Sequence, residues 1–176
     1  SYGRNGSFGG TGFGTSNITT GIRGDGLEFD GTDDYVSLGT FDPSDDKLTI
    51  SAWVYWLDQS ATHEAIVTKR DSWSPTTMRW QLVRSVDTNT LHFERDGSML
   101  DFGVDLTADR WTQVLVVYNG SDASLYLDGE FQSSGAMTFG SDTTSEVFIG
   151  SAGQSNEVFL GTIDEVAVWN RALTPQ

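Results

Sequence analysis

From Leu27 to Trp169 the chain repeats one pattern, short runs in which apolar and polar side chains alternate, each run closed by Gly, Asp or Asn. LEFDG, DDYVSLG, LTISAWVYWLD, EAIVTKRD, MRWQLVRSV, TLHFERDG, WTQVLVVYNG, ASLYLDGEFQSSG, EVFIGS and TIDEVAVW follow one another. A period of two puts successive side chains on opposite faces of a strand, and turn signals at roughly 8 to 12 residue spacing set the rhythm of a sandwich or barrel. No long stretch carries the 3.6 period of an amphipathic helix, and only WNRAL near the end suggests a short turn. Without crossover helices a parallel βαβ sheet is excluded. An all-β, antiparallel sandwich remains. In LYLDGEF the Asp128-Gly129 pair signals a two-residue hairpin with both turn residues at positive φ, which predicts Leu127 opposite Glu130 and Tyr126 opposite Phe131.

The 176 residues suit one domain, read as 1–176, and no repeat or linker divides them. The first 26 residues are rich in Gly, Ser and Thr, with Tyr2, Phe8 and Phe13 spaced among the glycines. They are expected to lie across a sheet as an irregular segment pinned by those rings. A phosphate cradle is rejected there, because no helix follows. The formal charge is −15, from 25 acids against 10 bases. Such a surface repels nucleic acid and anionic lipid and attracts cations. No apolar run approaches the ~18 residues of a membrane span, and no basic-then-apolar leader opens the chain, as expected of a module whose leader was removed or that was excised from a larger protein. There is no cysteine, hence no disulfide and no thiolate metal site.

LEFDGTDDYVSLG (27–39), LTISAWVYW (48–56), RWTQVLVVYNGSDASLYLDGEF (110–131) and GTIDEVAVWNRALTPQ (161–176), in this order and spacing, resemble the laminin G-like domains of the concanavalin A-like lectin/glucanase superfamily over residues 21–176. The resemblance implies a jelly roll with one concave and one convex sheet. It implies a binding module of a secreted or surface protein, without naming a ligand. The Gly-rich start matches the family's linker between a first strand and the FDG motif, so that first strand is expected to be short or cropped. The disulfide of many animal relatives is missing, which suits a bacterial or environmental origin.

Some superfamily members cleave or eliminate glycans, so the acids need testing. A retaining glycosidase needs two carboxylates about 5 Å apart. Glu28 and Asp30 have the i, i+2 spacing but lack a third acid in register, and Gly31 turns the chain after them. Asp164 and Glu165 are adjacent, so a regular strand points them to opposite faces. His63, beside Glu64, has no second His to complete a zinc motif, and His92 has no cysteine or G-x-S-x-G serine to activate; His92 is read as a solvated strand residue. Catalysis is therefore not expected.

The resemblance also implies a structural calcium tying the N-terminal part of the chain to the last strand, carried here onto Asp30 or Gly31 and Asp164. Period two sets Asp164 on the inward face of Val166 and Val168, with Glu165 on the face of Ala167 and Trp169. An inward carboxylate needs a partner. Calcium is one; backbone N–H groups of the Gly-rich start are the other. Asp33-Asp34 and Asp45-Asp46 are read as turn caps, and no EF-hand spacing is present.

Trp53, Trp111 and Trp169 are read as packing residues, and Trp56 and Trp80 are left open. Trp73 differs, since it lies between Ser72 and Ser74 and before Pro75 in a polar interruption. It is either a ring that pins its loop or the candidate ring for stacking a sugar, with Arg79 or Asp71 holding hydroxyls. The reading is a secreted or surface, monomeric, carbohydrate-binding module, calcium-stabilised, that recognises a neutral glycan or an acidic one bridged by calcium. The alternatives are a protein-binding adhesion or spacer module and, third, a glycan hydrolase or lyase.

Overall fold

The computed structural model describes residues 6–41, 46–58, 62–74, 76–141, 144–154 and 156–174. Its strands are β1 (Ser7–Gly9), β2 (Ile18–Thr20), β3 (Asp25–Asp30), β4 (Tyr35–Thr40), β5 (Leu48–Trp56), β6 (Glu64–Arg70), β7 (Met78–Ser85), β8 (Thr90–Arg95), β9 (Ser98–Asp101), β10 (Trp111–Tyr118), β11 (Asp122–Leu127), β12 (Glu130–Ala136), β13 (Glu146–Ile149) and β14 (Leu160–Trp169). The helical structure among the described residues is one 3-10 turn, Thr15–Asn17. Two seven-stranded antiparallel sheets result, ordered β1-β4-β13-β6-β7-β8-β9 and β12-β11-β10-β5-β14-β3-β2. This is the antiparallel sandwich that the alternation predicts, in the jelly-roll form that the family resemblance implies.

The inner faces meet in one core. Ile50, Ala52 and Val54 of β5 and Val114 and Val116 of β10 lie among Val67 of β6, Trp80 and Leu82 of β7 and Leu91 and Phe93 of β8, all buried. Each large apolar side chain so placed contributes about 1.5–3 kcal/mol. Asp128 and Gly129 take φ of 52° and 83°. The hairpin pairs Leu127 with Glu130 and Tyr126 with Phe131, whose rings meet edge to face at 5.6 Å.

The Gly-rich start is more ordered than an irregular strap. β1 pairs with β4 and β2 with β3, so each sheet gains a short edge strand. Between them Phe13 is buried, 5.1 Å from Phe29 and 5.4 Å from Phe8, so two of the three expected rings do pin the segment. Tyr2 lies outside the described residues, as does Asp45.

The interior also holds charged groups. Glu64 is fully buried; its carboxylate accepts from Trp56 Nε1 at 2.8 Å and from the Leu160 N–H at 3.2 Å. Arg84 lies 3.7 Å away, stacked 4.0 Å from the Trp56 ring and bonded to Asp105. Burial outweighs these partners and pushes the Glu64 carboxyl up from 4.5 to about 7. The native state thus holds this proton more tightly than the unfolded chain, and raising the pH from about 4.5 through about 7 removes stability. Unfolding free energies of wild type and Glu64→Gln, measured by denaturant titration, should differ by an amount that changes on the order of 3 kcal/mol across that window. A constant difference would mean that Glu64 stays ionised.

Candidate functional site

The strand register fixes what the outer face of the first sheet displays. One row crosses it from Phe148 on β13 through Thr68 on β6, Gln81 on β7 and Glu94 on β8 to Met99 on β9. A second runs from Ala65 through Val83 and His92 to Asp101. An outward sheet face normally meets water, yet Thr68, Arg70, Gln81, His92 and Glu94 are all buried. The cover is local. The segment after β13 lies over β6, where its Ser151 carbonyl accepts from Thr68 Oγ1 at 2.8 Å, and it packs against the β6–β7 loop so tightly that a Cβ on Gly153 would sit 2.9 Å from the Asp71 carbonyl oxygen.

Beneath this cover the polar groups form one connected chain. Arg70 donates to Gln81 Oε1 at 2.6 Å and to Glu157 at 2.8 Å. The Gln81 amide donates to Glu94 at 2.8 Å and to Glu157 at 3.3 Å. His92 Nδ1 is 3.3 Å from the other Glu94 oxygen, and its Nε2 is 2.9 Å from Thr88 Oγ1. Asp101, 3.6 Å from His92, has its carboxyl held below the usual range: burial pushes it up, but bonds from Thr90 and the Gly103 N–H, with His92 beside it, outweigh that.

A cavity of about 290 Å³ opens over this floor, with His63, Trp73, Ser85, Asp87, His92, Glu94, Met99 and Glu157 among its walls. Trp73 is 51% exposed and Met99 62%. The Arg70 guanidinium lies 5.4 Å from the Trp73 ring centre and supports the indole from the protein side. The site can thus offer an apolar plate at its rim and carboxylate, imidazole and hydroxyl acceptors at its base.

Of the residues singled out from sequence, Trp73 lines this cavity, whereas Arg79 does not come to it. Arg79 is buried with its guanidinium bonded to the Gly140 carbonyl and to Asp46 and 5.2 Å from the Phe139 ring; it stands near the start of β7, at the other end of the strand from Ser85, which lines the cavity. Asp71 lines a neighbouring cavity instead. Arg70, next to Asp71, reaches the site only from beneath, bonded to Gln81 and Glu157 under the Trp73 ring. His92 is buried and networked rather than solvated. Trp56 and Trp80 are buried, while Trp53 and Trp111 stand half-buried on the outer face of the second sheet, where Trp111 meets Tyr55 at 5.7 Å.

The expected calcium set is not brought together. Asp30 pairs with Leu160, four residues before Asp164, so about 13 Å of strand separates the two acids. Asp164 also leaves the inward face: a bulge between Asp164 and Ala167, with Glu165 at φ 48°, reverses the alternation, so Ile163 and Val168 point to the core while Asp164 sits opposite Trp53 on the outer side. There the N-terminal segment buries it. Its carboxylate accepts from the Arg23 N–H at 3.0 Å and the Glu165 N–H at 2.7 Å, and a Cβ on Gly21 would lie 2.3 Å from it. A different group of acids gathers at the FDG turn, where Asp30, Asp33 and Asp34 each place one carboxylate oxygen within 4.8 Å of the others. Gly31 makes that turn at φ 75°. Asp34 accepts from the Asp30 N–H, and burial, then repulsion from Asp30 and Asp33, pushes its carboxyl up.

The groove thus crosses the outer face of one sheet of a jelly roll, with an exposed indole at its rim and polar side chains on its floor. A laminin G-like sequence family described as the Concanavalin A-like lectin/glucanases superfamily matches residues 30–176, and the chain belongs to it. No characterised protein matches the chain by sequence alone. Among solved structures it is similar to domain 4 of the extracellular GH43 arabinanase AbnA of Geobacillus stearothermophilus, determined in complex with arabinotriose, with 21% identity, a TM-score of 0.74, and 96% of this chain and 84% of that one covered. A SAP-like pentraxin of Limulus polyphemus aligns at 16% identity and a TM-score of 0.63, over 84% of this chain and 76% of that one. A candidate carbohydrate-binding protein of Bacteroides ovatus aligns at 18% and 0.66, over 85% of this chain and 44% of that one.

Replacing the buried Asp164 by Ala removes two charge-assisted hydrogen bonds from backbone N–H groups and should cost about 1–3 kcal/mol. The loss, read by chemical denaturation, should be equal in calcium and in EDTA; a loss seen with calcium alone would return Asp164 to a metal site.

Proposed function

We propose that the chain is a non-catalytic carbohydrate-binding module of a secreted or surface protein, and that it takes a neutral glycan in the groove beside Trp73. The observation that carries this reading is the buried network from Arg70 to His92 under an exposed indole. Polar groups buried on the outer face of a sheet add nothing to the core and cost desolvation, so their use lies in what they present. A sugar has apolar ring faces and hydroxyl donors. Trp73 supplies a plate for the first and the spare lone pairs of Glu94 and Glu157 serve the second. The arabinotriose bound by the AbnA domain supports the ligand class.

Binding without hydrolysis fits the same atoms. Both oxygens of Glu94 and of Glu157 are already engaged, by Gln81 and His92 and by Arg70 and Gln81. A pair so pinned is suited to holding hydroxyls rather than to exchanging a proton with a leaving group. Among the described residues no helix is long and apolar enough to cross a membrane.

An affinity gel or glycan array with arabino-, xylo- and gluco-oligosaccharides should retain the wild type, weakly. Trp73→Ala should bind about tenfold less tightly, since an aromatic contact is worth about 1–1.5 kcal/mol. Unchanged binding would move the site elsewhere. No glycan binding at all, with capture of a defined protein partner, would hand the groove to the adhesion reading.

We also propose a structural calcium, held by Asp30, Asp33 and Asp34 at the FDG turn rather than by Asp164. The donor set fits a hard cation that prefers carboxylate oxygens, and the ion would relieve the repulsion that raises Asp34. At a hundredfold excess over Kd such an ion adds about 2.7 kcal/mol, so EDTA should lower the melting temperature by several degrees. Asp33→Asn should abolish that difference. A melting temperature indifferent to EDTA in the wild type would refute the site.

A further inference from the structure

Besides the groove beside Trp73, this face carries a second cavity of about 460 Å³, lined by Asp71, Thr144, Glu146, Phe148 and Gln154. Phe148 and Glu94 stand in the same cross-strand row, so the two cavities lie along one line perpendicular to the strands. From Phe148 on β13 to Met99 on β9 that line crosses four strand spacings, about 19 Å. Between them stands a ridge made by the β6–β7 loop and the segment after β13, in contact at Asp71 and Gly153. Asp71 and Trp73 belong to the same loop, one lining each cavity.

We propose that the second cavity is a further subsite of the glycan site, so that the ligand is a chain that straddles the ridge and is held on both flanks. This rests on the carbohydrate reading of the first cavity and extends it. The second cavity sets polar groups around a buried ring, Phe148, which is held edge to face by Tyr35 at 5.6 Å and closes its floor. Glu146 is fixed by Ser37 Oγ, which donates to its Oε2 at 2.6 Å, so this carboxylate is preset in orientation. Gln154 and Asp71, both exposed, complete the rim with an amide and a carboxylate. A free monosaccharide can fill one cavity only. A polymer fills both, and the second contact then forms at the high effective concentration set by the first.

The test is isothermal titration of the intact chain with arabino-, xylo- and gluco-oligosaccharides of increasing length. Affinity should be flat for the shortest members and rise about tenfold once the chain is long enough to cross the ridge. Gln154→Ala and Asp71→Ala, at exposed positions that leave the fold intact, should remove that rise while leaving the affinity for the shortest binding member unchanged. Trp73→Ala should weaken every length. Affinity independent of length, or a rise that survives both rim substitutions, overturns the second subsite even where short oligosaccharides bind. If no oligosaccharide of any length binds, the carbohydrate reading falls, and the subsite with it.

Discussion

The side-chain amide of Gln81 is the joint on which the outer face of the first sheet depends. Its oxygen accepts from Arg70 and its nitrogen donates to Glu94 and Glu157, so one residue in the middle of β7 ties β6, β8 and the segment before β14 together. A neutral amide can do this because it carries donor and acceptor at once, where a charged group would satisfy one sign and repel the other. Arg70, fixed in turn, supports Trp73 from below. Rigid presentation of the indole follows from this chain of bonds, since the ring stands on a loop and has no strand of its own to hold it. Low reorganisation matters where each contact is worth only about 1 kcal/mol and ordering a side chain costs a similar amount.

Two buried polar systems divide the molecule between folding and recognition. Glu64, Trp56, Arg84 and Asp105 form a closed set at one end of the core, with the carboxylate pushed up by burial and a guanidinium stacked on the indole. Glu64, the first residue of β6, points away from the groove, while His63 just before it lines the groove, so a structural carboxylate and a groove-facing histidine stand side by side on opposite faces.

The sandwich, the Asp128-Gly129 hairpin and the exposed Trp73 were legible in the sequence because each rests on local rules: alternation, turn chemistry and an aromatic amid polar loop residues. Arg70, Gln81, Glu94 and Glu157 were not, since they come from four segments and meet only through register. The polar positions of TKR, RWQ and HFE look like the wet half of an alternating strand until pairing aligns them in one row and a distant loop covers it. Asp164 shows the other failure. Strict alternation sends it inward, and a single residue at positive φ, Glu165, reverses the phase of the strand. At the FDG turn, Asp33 and Asp34 read as caps of the backbone and Asp30 as a calcium ligand paired with Asp164; in the fold Asp34 does cap the Asp30 N–H and Asp30 the Thr32 N–H, and the three acids meet one another rather than Asp164.

Charge narrows what the groove can hold. Asp87, Glu94 and Glu157 line it, and no Lys or Arg stands among its described walls. The nearest guanidinium, Arg70, is turned to Gln81 and Glu157. A uronate or sialate would therefore bring its carboxylate to three others in a cleft where water screens poorly, against the background of a −15 surface. The hydroxyls of a neutral sugar meet the opposite situation, since every such carboxylate is an acceptor and each hydroxyl proton a donor. On the proposed reading, the acidity that disfavours nucleic acid and anionic lipid across the whole surface is, inside the groove, what would favour an uncharged glycan.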